Sequence, residues 1–234
     1  MENLQNKYFS IIGDSISTLE GYIPPEHAVY YNPERMQNAN IHGIEDTWWG
    51  QVIAQLGGKL LMNDSFSGST AVIHPACFVD SYTCTDQRTS YLHKGDVTPD
   101  VIMIYMGTND RGICAKPLAT EESEKSDLSV FSTAYATMLQ KLRANYPAAK
   151  IWCLTLPVCY CSANDQFAFP YEHGGWHIEQ FCKAIRDCAQ QYGCRVIDLY
   201  AQTKENPYDS MDGCHPNAEG MKTISAAVLA ELAK

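Results

Sequence analysis

The feature that most constrains this chain is an alternation. Five short, nearly uninterrupted apolar runs, "YFSIIG", "KLLMN", "VIMIYMG", "KIWCLTL" and "RVIDLY", are separated by amphipathic stretches of helical period. Runs of strand length without a polar face suit a sheet covered on both sides. The intervening stretches supply the covers. In "FSTAYATMLQKLRANYP" the residues Phe131, Ala134, Tyr135, Met138, Leu139 and Leu142 recur at three and four, and Pro147 stops the pattern. "DTWWGQVIAQLGG" repeats it, with Asp46 as the expected cap, Trp48, Trp49, Val52, Ile53 and Leu56 on one face, and Gly57 at its end. The paired tryptophans read as core rather than as a substrate platform. "WHIEQFCKAIRDCAQQYG", ending at Gly193, and "NAEGMKTISAAVLAELA", opening at an Asn217 cap, complete the helical set. This alternation predicts an α/β protein with a central parallel sheet, right-handed crossovers and helices on both faces.

Composition narrows the class further. A chain of 234 residues, 45% hydrophobic, is long enough to bury one sizeable core, and a single domain over residues 1–234 is expected. The formal net charge of −10 argues against nucleic acid and acidic membranes as partners, since both are bound through clustered Lys and Arg. Ten cysteines in this length fall well below the density of a disulfide-built scaffold. Cys153, inside "IWCLTL", reads as a small hydrophobe. The opening "MENLQNKYFS" has neither the basic nor the apolar region of a signal peptide, and no apolar run approaches about 18 residues. A soluble, reduced, cytoplasmic protein with no membrane partner is the expectation. The acidic tract "TEESEKSD" reads as a solvated loop. Two longer irregular stretches, residues 21–45 and 157–175, are rich in Tyr, Pro, Gly and His and read as ordered functional loops.

Open parallel sheets bind ligands outside the carboxyl ends of their strands, so those ends are where chemistry is sought. The first run ends in Gly13-Asp14-Ser15, the second leads into "NDSFSGST" around Gly68, and the third into "GTND" with Asn109. "DGCHPN", Asp212 to Asn217, precedes the last helix. A serine hydroxyl becomes a useful nucleophile only when a base takes its proton, and an imidazole does this best when a carboxylate orients it. Asp212 and His215 supply that pair, with Pro216 biasing His215 toward an extended or turn backbone. Acyl transfer also needs donors for the developing oxyanion; the amides of Ser15 and Gly68 and the side chain of Asn109 suit that need. Each residue also has a structural reading. Ser15 can cap a helix, Gly68 and Asn109-Asp110 can serve turns, and Asp212 and His215 can form a surface pair. Their joint occurrence at successive strand ends favours catalysis.

At these residues the sequence resembles the SGNH hydrolases, the GDSL-type esterase and lipase family. The family's serine, glycine, asparagine and histidine fall on Ser15, Gly68, Asn109 and His215, with Asp212 as the histidine's partner. The order is right across nearly the whole chain. "GDSI" stands where the family has GDSL, an exchange of apolar branching at Ile16. The resemblance implies a three-layer, flavodoxin-like α/β/α sandwich. It further implies ester or thioester hydrolysis through an acyl-enzyme, without metal or cofactor, using Ser15, Asp212 and His215 with an oxyanion hole from Ser15, Gly68 and Asn109.

Other motifs are absent. "GGK" at 57–59 has Ile53 where a phosphate loop needs its first glycine, no G-x-G-x-x-G follows the first run, and Ser17 replaces the second glycine of a G-x-S-x-G elbow. Cys159, Cys161, His173 and His177 lie close in sequence, but their spacing matches no zinc pattern. They read as reduced thiols and loop histidines; an intermediate reading has Tyr160, Tyr171 and Trp176 lining the substrate pocket beside the catalytic edge. Tyr, Trp, Asn and His in the two irregular stretches suit sugar rings and hydroxyls, so a small-molecule or carbohydrate ester, acetyl above all, is the expected substrate. A lysophospholipase or thioesterase, with Ile113 and Val158 as apolar contacts, is one alternative; a non-catalytic carbohydrate-binding module is another.

Overall fold

The computed structural model describes residues 4–234. Five of the apolar runs form strands: β1 (Tyr8–Gly13), β2 (Lys59–Asn63), β3 (Val101–Tyr105), β4 (Lys150–Leu154) and β5 (Arg195–Ile197). They pair in parallel in the order β2-β1-β3-β4-β5. This is the flavodoxin-like order, whose direction reverses between β1 and β3, the place where such sheets open a ligand crevice. Phe9 lies opposite Val101 and Gly13 opposite Tyr105, so the carboxyl ends of β1 and β3 finish level.

Four long helices cover the sheet: α1 (Trp48–Gln55), α2 (Phe131–Asn145), α3 (Ile178–Gln191) and α4 (Ala218–Leu232). α1 packs with α4, and α2 with α3. The Trp48 ring meets Tyr105 edge-on at 5.7 Å, whereas Tyr135 of α2 reaches Cys153. Ile104 is the residue opposite Cys153, so Tyr105, one position on, points to the other side of the sheet. The two helix pairs therefore cover opposite faces, completing the α/β/α sandwich. Trp48, Trp49, Phe131 and Phe181 are fully buried, and each such side chain contributes about 1.5–3 kcal/mol through burial. Among the described residues no helix is long and apolar enough to cross a membrane. All ten cysteines are free thiols.

Three local expectations are corrected. Thr47, not Asp46, caps α1, because the Thr47 hydroxyl accepts from the Gly50 amide while the Asp46 carboxylate turns back to the His42 amide. The fifth strand stops at Ile197; Asp198 caps a short helix, Leu199–Thr203, and pairs with Arg186, which removes "DLY" from the sheet. The acidic tract is solvated but folded. Glu122–Ser126 form a 3-10 turn closed by a reciprocal Glu121–Glu124 cap, and Glu124 pairs with Lys116. Asn217 caps α4 as expected, its side chain accepting from the Gly220 amide.

Candidate active site

β1 ends at Gly13, and the chain turns at once into a 3-10 segment, Ser15–Ser17. Asp14 rather than Ser15 is the cap: its carboxylate accepts from the Ile16 amide at 3.0 Å, which leaves the Ser15 hydroxyl uncommitted to the backbone. The turn is locked from below. Trp48 Nε1 donates to Ser17 Oγ, and the Ser17 carbonyl accepts from both Trp49 Nε1 and Asn63 Nδ2. Buried tryptophans on α1 thus hold the serine at the carboxyl edge of the sheet.

The other half of the site comes from the segment before α4. A two-residue strand, Tyr208–Asp209, runs parallel to Cys159–Tyr160, and Ser210 bridges to Pro216. Between those anchors Gly213 takes φ +87°, where a side chain would also strike the Phe167 ring. The Asp212 carboxylate accepts from the Cys214 and His215 amides through Oδ1, at 3.1 and 2.8 Å. Its Oδ2 lies 2.8 Å from His215 Nδ1, and His215 Nε2 lies 2.9 Å from Ser15 Oγ. Burial alone would raise the Asp212 pKa, but the hydrogen bond and charge of His215, with further bonds from the His215 amide and Tyr30, hold it well below the usual carboxylate range. An ionised carboxylate only accepts, so Nδ1 carries the imidazole proton and Nε2 is free to accept from the serine hydroxyl.

Tyr30, in the irregular stretch 21–45, completes this arrangement and was not read from the sequence. Its ring stacks on His215 with centroids 3.5 Å apart and planes 9° apart, and its hydroxyl donates to Asp212 Oδ2 at 2.9 Å. Arg35 covers the other side of the Tyr30 ring at 4.2 Å. Burial, then the bond to Asp212, pushes the Tyr30 hydroxyl above its ordinary value, so it remains a donor.

Gly68 and Asn109 come to the same edge. The Phe66 amide donates to the Gly13 carbonyl, tying the segment after β2 to the end of β1, and Gly68 turns there at φ +85°. Asn109 Nδ2 donates to the Ser69 carbonyl at 2.8 Å, tying the segment after β3 to the same turn. One amide hydrogen is spent on that bond; the second is available to another acceptor. The Ser15 and Gly68 amides have no acceptor among the described residues. Beneath this turn lies a buried ion pair. Arg88 Nε meets Asp64 Oδ2 at 2.7 Å, and the same guanidinium reaches Ser69 Oγ at 2.8 Å, the Ser81 hydroxyl and the Asp64 carbonyl.

A cavity of about 300 Å³ opens beside Asn109, with Tyr105, Phe78, Arg111, Phe169 and Cys214 among its walls. The expectation that Tyr160, Tyr171 and Trp176 line it is corrected. Tyr171 stacks on His177 at 5.9 Å, Trp176 belongs to a hairpin with His173, and the Tyr160 ring faces solvent. Ile113 packs on the core and Val158 is buried, and neither borders this cavity. The Cys159, Cys161, His173 and His177 side chains are engaged separately. The two thiols donate to the Gly213 and Met211 carbonyls, His173 Nε2 meets the Gly112 carbonyl, and His177 caps α3. Among the described residues no three His, Cys, Asp or Glu side chains are grouped to hold a metal ion.

Similarity to known proteins follows the same outline. No curated protein matches the chain. Among solved structures, a Bacteroides ovatus protein described as a GDSL-like lipase is 28% identical, with 98% of this chain and 99% of that chain covered and a TM-score of 0.73. A Bacteroides uniformis protein of the same description is 29% identical, covering 97% and 96%, with a TM-score of 0.72. An active-site mutant of a family two carbohydrate esterase from Clostridium thermocellum, solved with celluohexase, shares the fold. It is 16% identical, covers 97% of this chain and 63% of that chain, and has a TM-score of 0.59. The model of the GDSL-like Lipase/Acylhydrolase family matches residues 7–165, from β1 to beyond β4. The chain therefore belongs to the GDSL-like lipase/acylhydrolase family.

Proposed function

We propose that this protein is a serine esterase that removes short acyl groups, acetyl above all, from carbohydrate or similarly small alcohols through an acyl-enzyme. The observation that carries this reading is the continuous line from Asp212 through His215 to Ser15, closed by contacts of 2.8 and 2.9 Å. In the first half-reaction His215 Nε2 takes the Ser15 proton as Oγ attacks the ester carbonyl, and Asp212 stabilises the imidazolium that forms. The amides of Ser15 and Gly68 and the second Asn109 hydrogen receive the oxyanion. His215 then returns the proton to the departing alcohol. A water molecule activated by the same imidazole attacks the acyl-Ser15 carbonyl, and collapse of that intermediate releases the acid.

A short acyl group is favoured by the cavity, whose volume of about 300 Å³ sits at the lower end of small-molecule sites. Ile113 and Val158, the apolar contacts expected for a lipid, do not border the cavity, whose apolar wall comes from Phe78, Leu156, Phe169 and Ile178. The sugar-bound carbohydrate esterase of like fold supports a hydroxyl-bearing alcohol.

The test is hydrolysis of p-nitrophenyl esters from acetyl to decanoyl by wild type, Ser15→Ala and Asn109→Ala. The expected result is a rate highest at acetyl, abolished by Ser15→Ala and lowered on the order of 10²-fold or more by Asn109→Ala. Wild-type turnover by Ser15→Ala would overturn the mechanism, and a rate that rises with chain length would overturn the substrate class.

A further inference from the structure

The cavity beside Asn109 holds a positive charge without a counter-charge. Arg111 stands two residues after Asn109 on the same helical turn, Thr108–Gly112, and its side chain forms part of the cavity wall. Its Nε is buried with no hydrogen-bond acceptor, and Nη2 donates to the Pro170 carbonyl. The guanidinium lies over the Phe169 ring at 5.2 Å. No carboxylate pairs with it among the described residues. Its electrostatic neighbours are the thiols of Cys159, Cys214, Cys182 and Cys114. Burial pushes Cys159 up to about 11 and Cys182 up to about 12, and raises Cys214 as well, so these three are neutral at physiological pH. A guanidinium stays charged under any such conditions. Arg88 and Arg186 are matched to carboxylates, while Arg35, Arg143 and Arg195, like Arg111, rest on a ring or on carbonyl oxygens; Arg111 is set apart from these three by forming part of the wall of the cavity beside Asn109.

We propose that this cavity is a subsite for a carboxylate on the substrate, held by the Arg111 guanidinium, so that the preferred esters carry an anionic group close to the scissile bond. This rests on the esterase reading above for its chemistry, though not for the binding itself. The planar fork of an arginine matches a carboxylate in geometry as well as charge. Asn109 and Arg111 both line this cavity, which puts the anion site and the oxyanion donor on one surface. The contacts to Pro170 and Phe169 hold the side chain in position, Nε is enclosed, and Nη1 is the donor open to the ligand.

The experiment separates binding from turnover. Calorimetry on Ser15→Ala compares two matched pairs: 4-acetoxybenzoate with its methyl ester, placing the anion on the alcohol, and mono-4-nitrophenyl succinate with 4-nitrophenyl butyrate, placing it on the acyl group. The anionic member of at least one pair is expected to bind about 10-fold more tightly, the effect of one charge-assisted contact. That ratio is expected to collapse toward unity in Ser15→Ala/Arg111→Gln and to recover in part in Ser15→Ala/Arg111→Lys, which a purely structural latch to Pro170 would not produce. Equal affinities within both pairs, no binding of either anion, or a preference that survives Arg111→Gln would overturn the proposal. An Arg111-dependent preference in a protein whose wild type hydrolyses none of the four esters would uphold the subsite and count against the esterase reading alone.

Discussion

Tyr30 lies 182 residues before Asp212 and meets it through a single hydroxyl, while its ring supports the imidazole that Asp212 orients. Two separable effects follow from those two contacts. Tyr30→Phe keeps the stack and removes the donor; the loss of a hydrogen bond to a charged group, about 1.5–3 kcal/mol, is expected to lower kcat/KM about 10-fold. Tyr30→Leu, which removes the stack as well, is expected to cost more. Steady-state kinetics across pH 5–9 check this, and superimposable wild-type and Tyr30→Phe profiles would refute it. That Ser15, Asp212 and His215 come together was legible because a serine at a strand end and an imidazole–carboxylate pair carry chemical meaning in three or four consecutive residues. Tyr30 and Arg111 were not legible, since a tyrosine in an irregular stretch and an arginine after "GTND" acquire meaning only from distant neighbours.

Elements reproduce the same division. Strands covered on both faces announce themselves as continuous apolar runs, and helices with one apolar face announce their period, so β1 to β4 and α1 to α4 were legible from those patterns alone. Ends are decided by single side chains: Thr47 outcompeted Asp46 because its hydroxyl reaches the Gly50 amide, and Asp198 closed β5 early by capping the next helix. The short helix Asp86–Ser90 has no period to read, yet it delivers Arg88 to Asp64 and Ser69 beneath the turn that bears Gly68. Burial raises the Asp64 pKa and the Arg88 charge opposes it, as expected for a buried pair that is mutually dependent. Arg88→Met leaves the buried Asp64 without its guanidinium, with only His27 Nε2 at 3.9 Å, and is expected to cost about 3–5 kcal/mol in urea denaturation. Arg88→Met/Asp64→Asn is expected to regain a good part of it. A cost for Arg88→Met below about 1 kcal/mol would show that the pair is replaceable by packing alone.

At the scale of the whole molecule, the sequence pattern specified layers but left open which strands are neighbours; that order brings the ends of β1 and β3 together and with them two buried acids. Asp14 and Asp110 are both fully buried. Burial pushes Asp14 up to about 7 against the bonds from the Ile16 amide and the Thr108 side chain, and Asp110 adds a like charge. Burial likewise pushes Asp110 up to about 6 despite bonds from the Val72 and Ala71 amides. An unfolded aspartate releases its proton near pH 3.8. Between that value and about 7 the folded chain therefore holds protons that the unfolded chain has lost, and linkage makes stability fall as pH rises through this window. Asp212 acts in the opposite sense, its folded value being lowered, so its contribution is complete above the ordinary carboxylate range and is lost only on further acidification. The two windows meet near pH 4. Asp14→Asn preserves the carbonyl oxygen that accepts from Ile16 and removes the titration. Its stability relative to wild type is expected to improve by about 1 kcal/mol or more between pH 5 and pH 7. Urea denaturation of both proteins at those two pH values measures the difference directly, and parallel pH dependences would show that Asp14 folds in its ionised form.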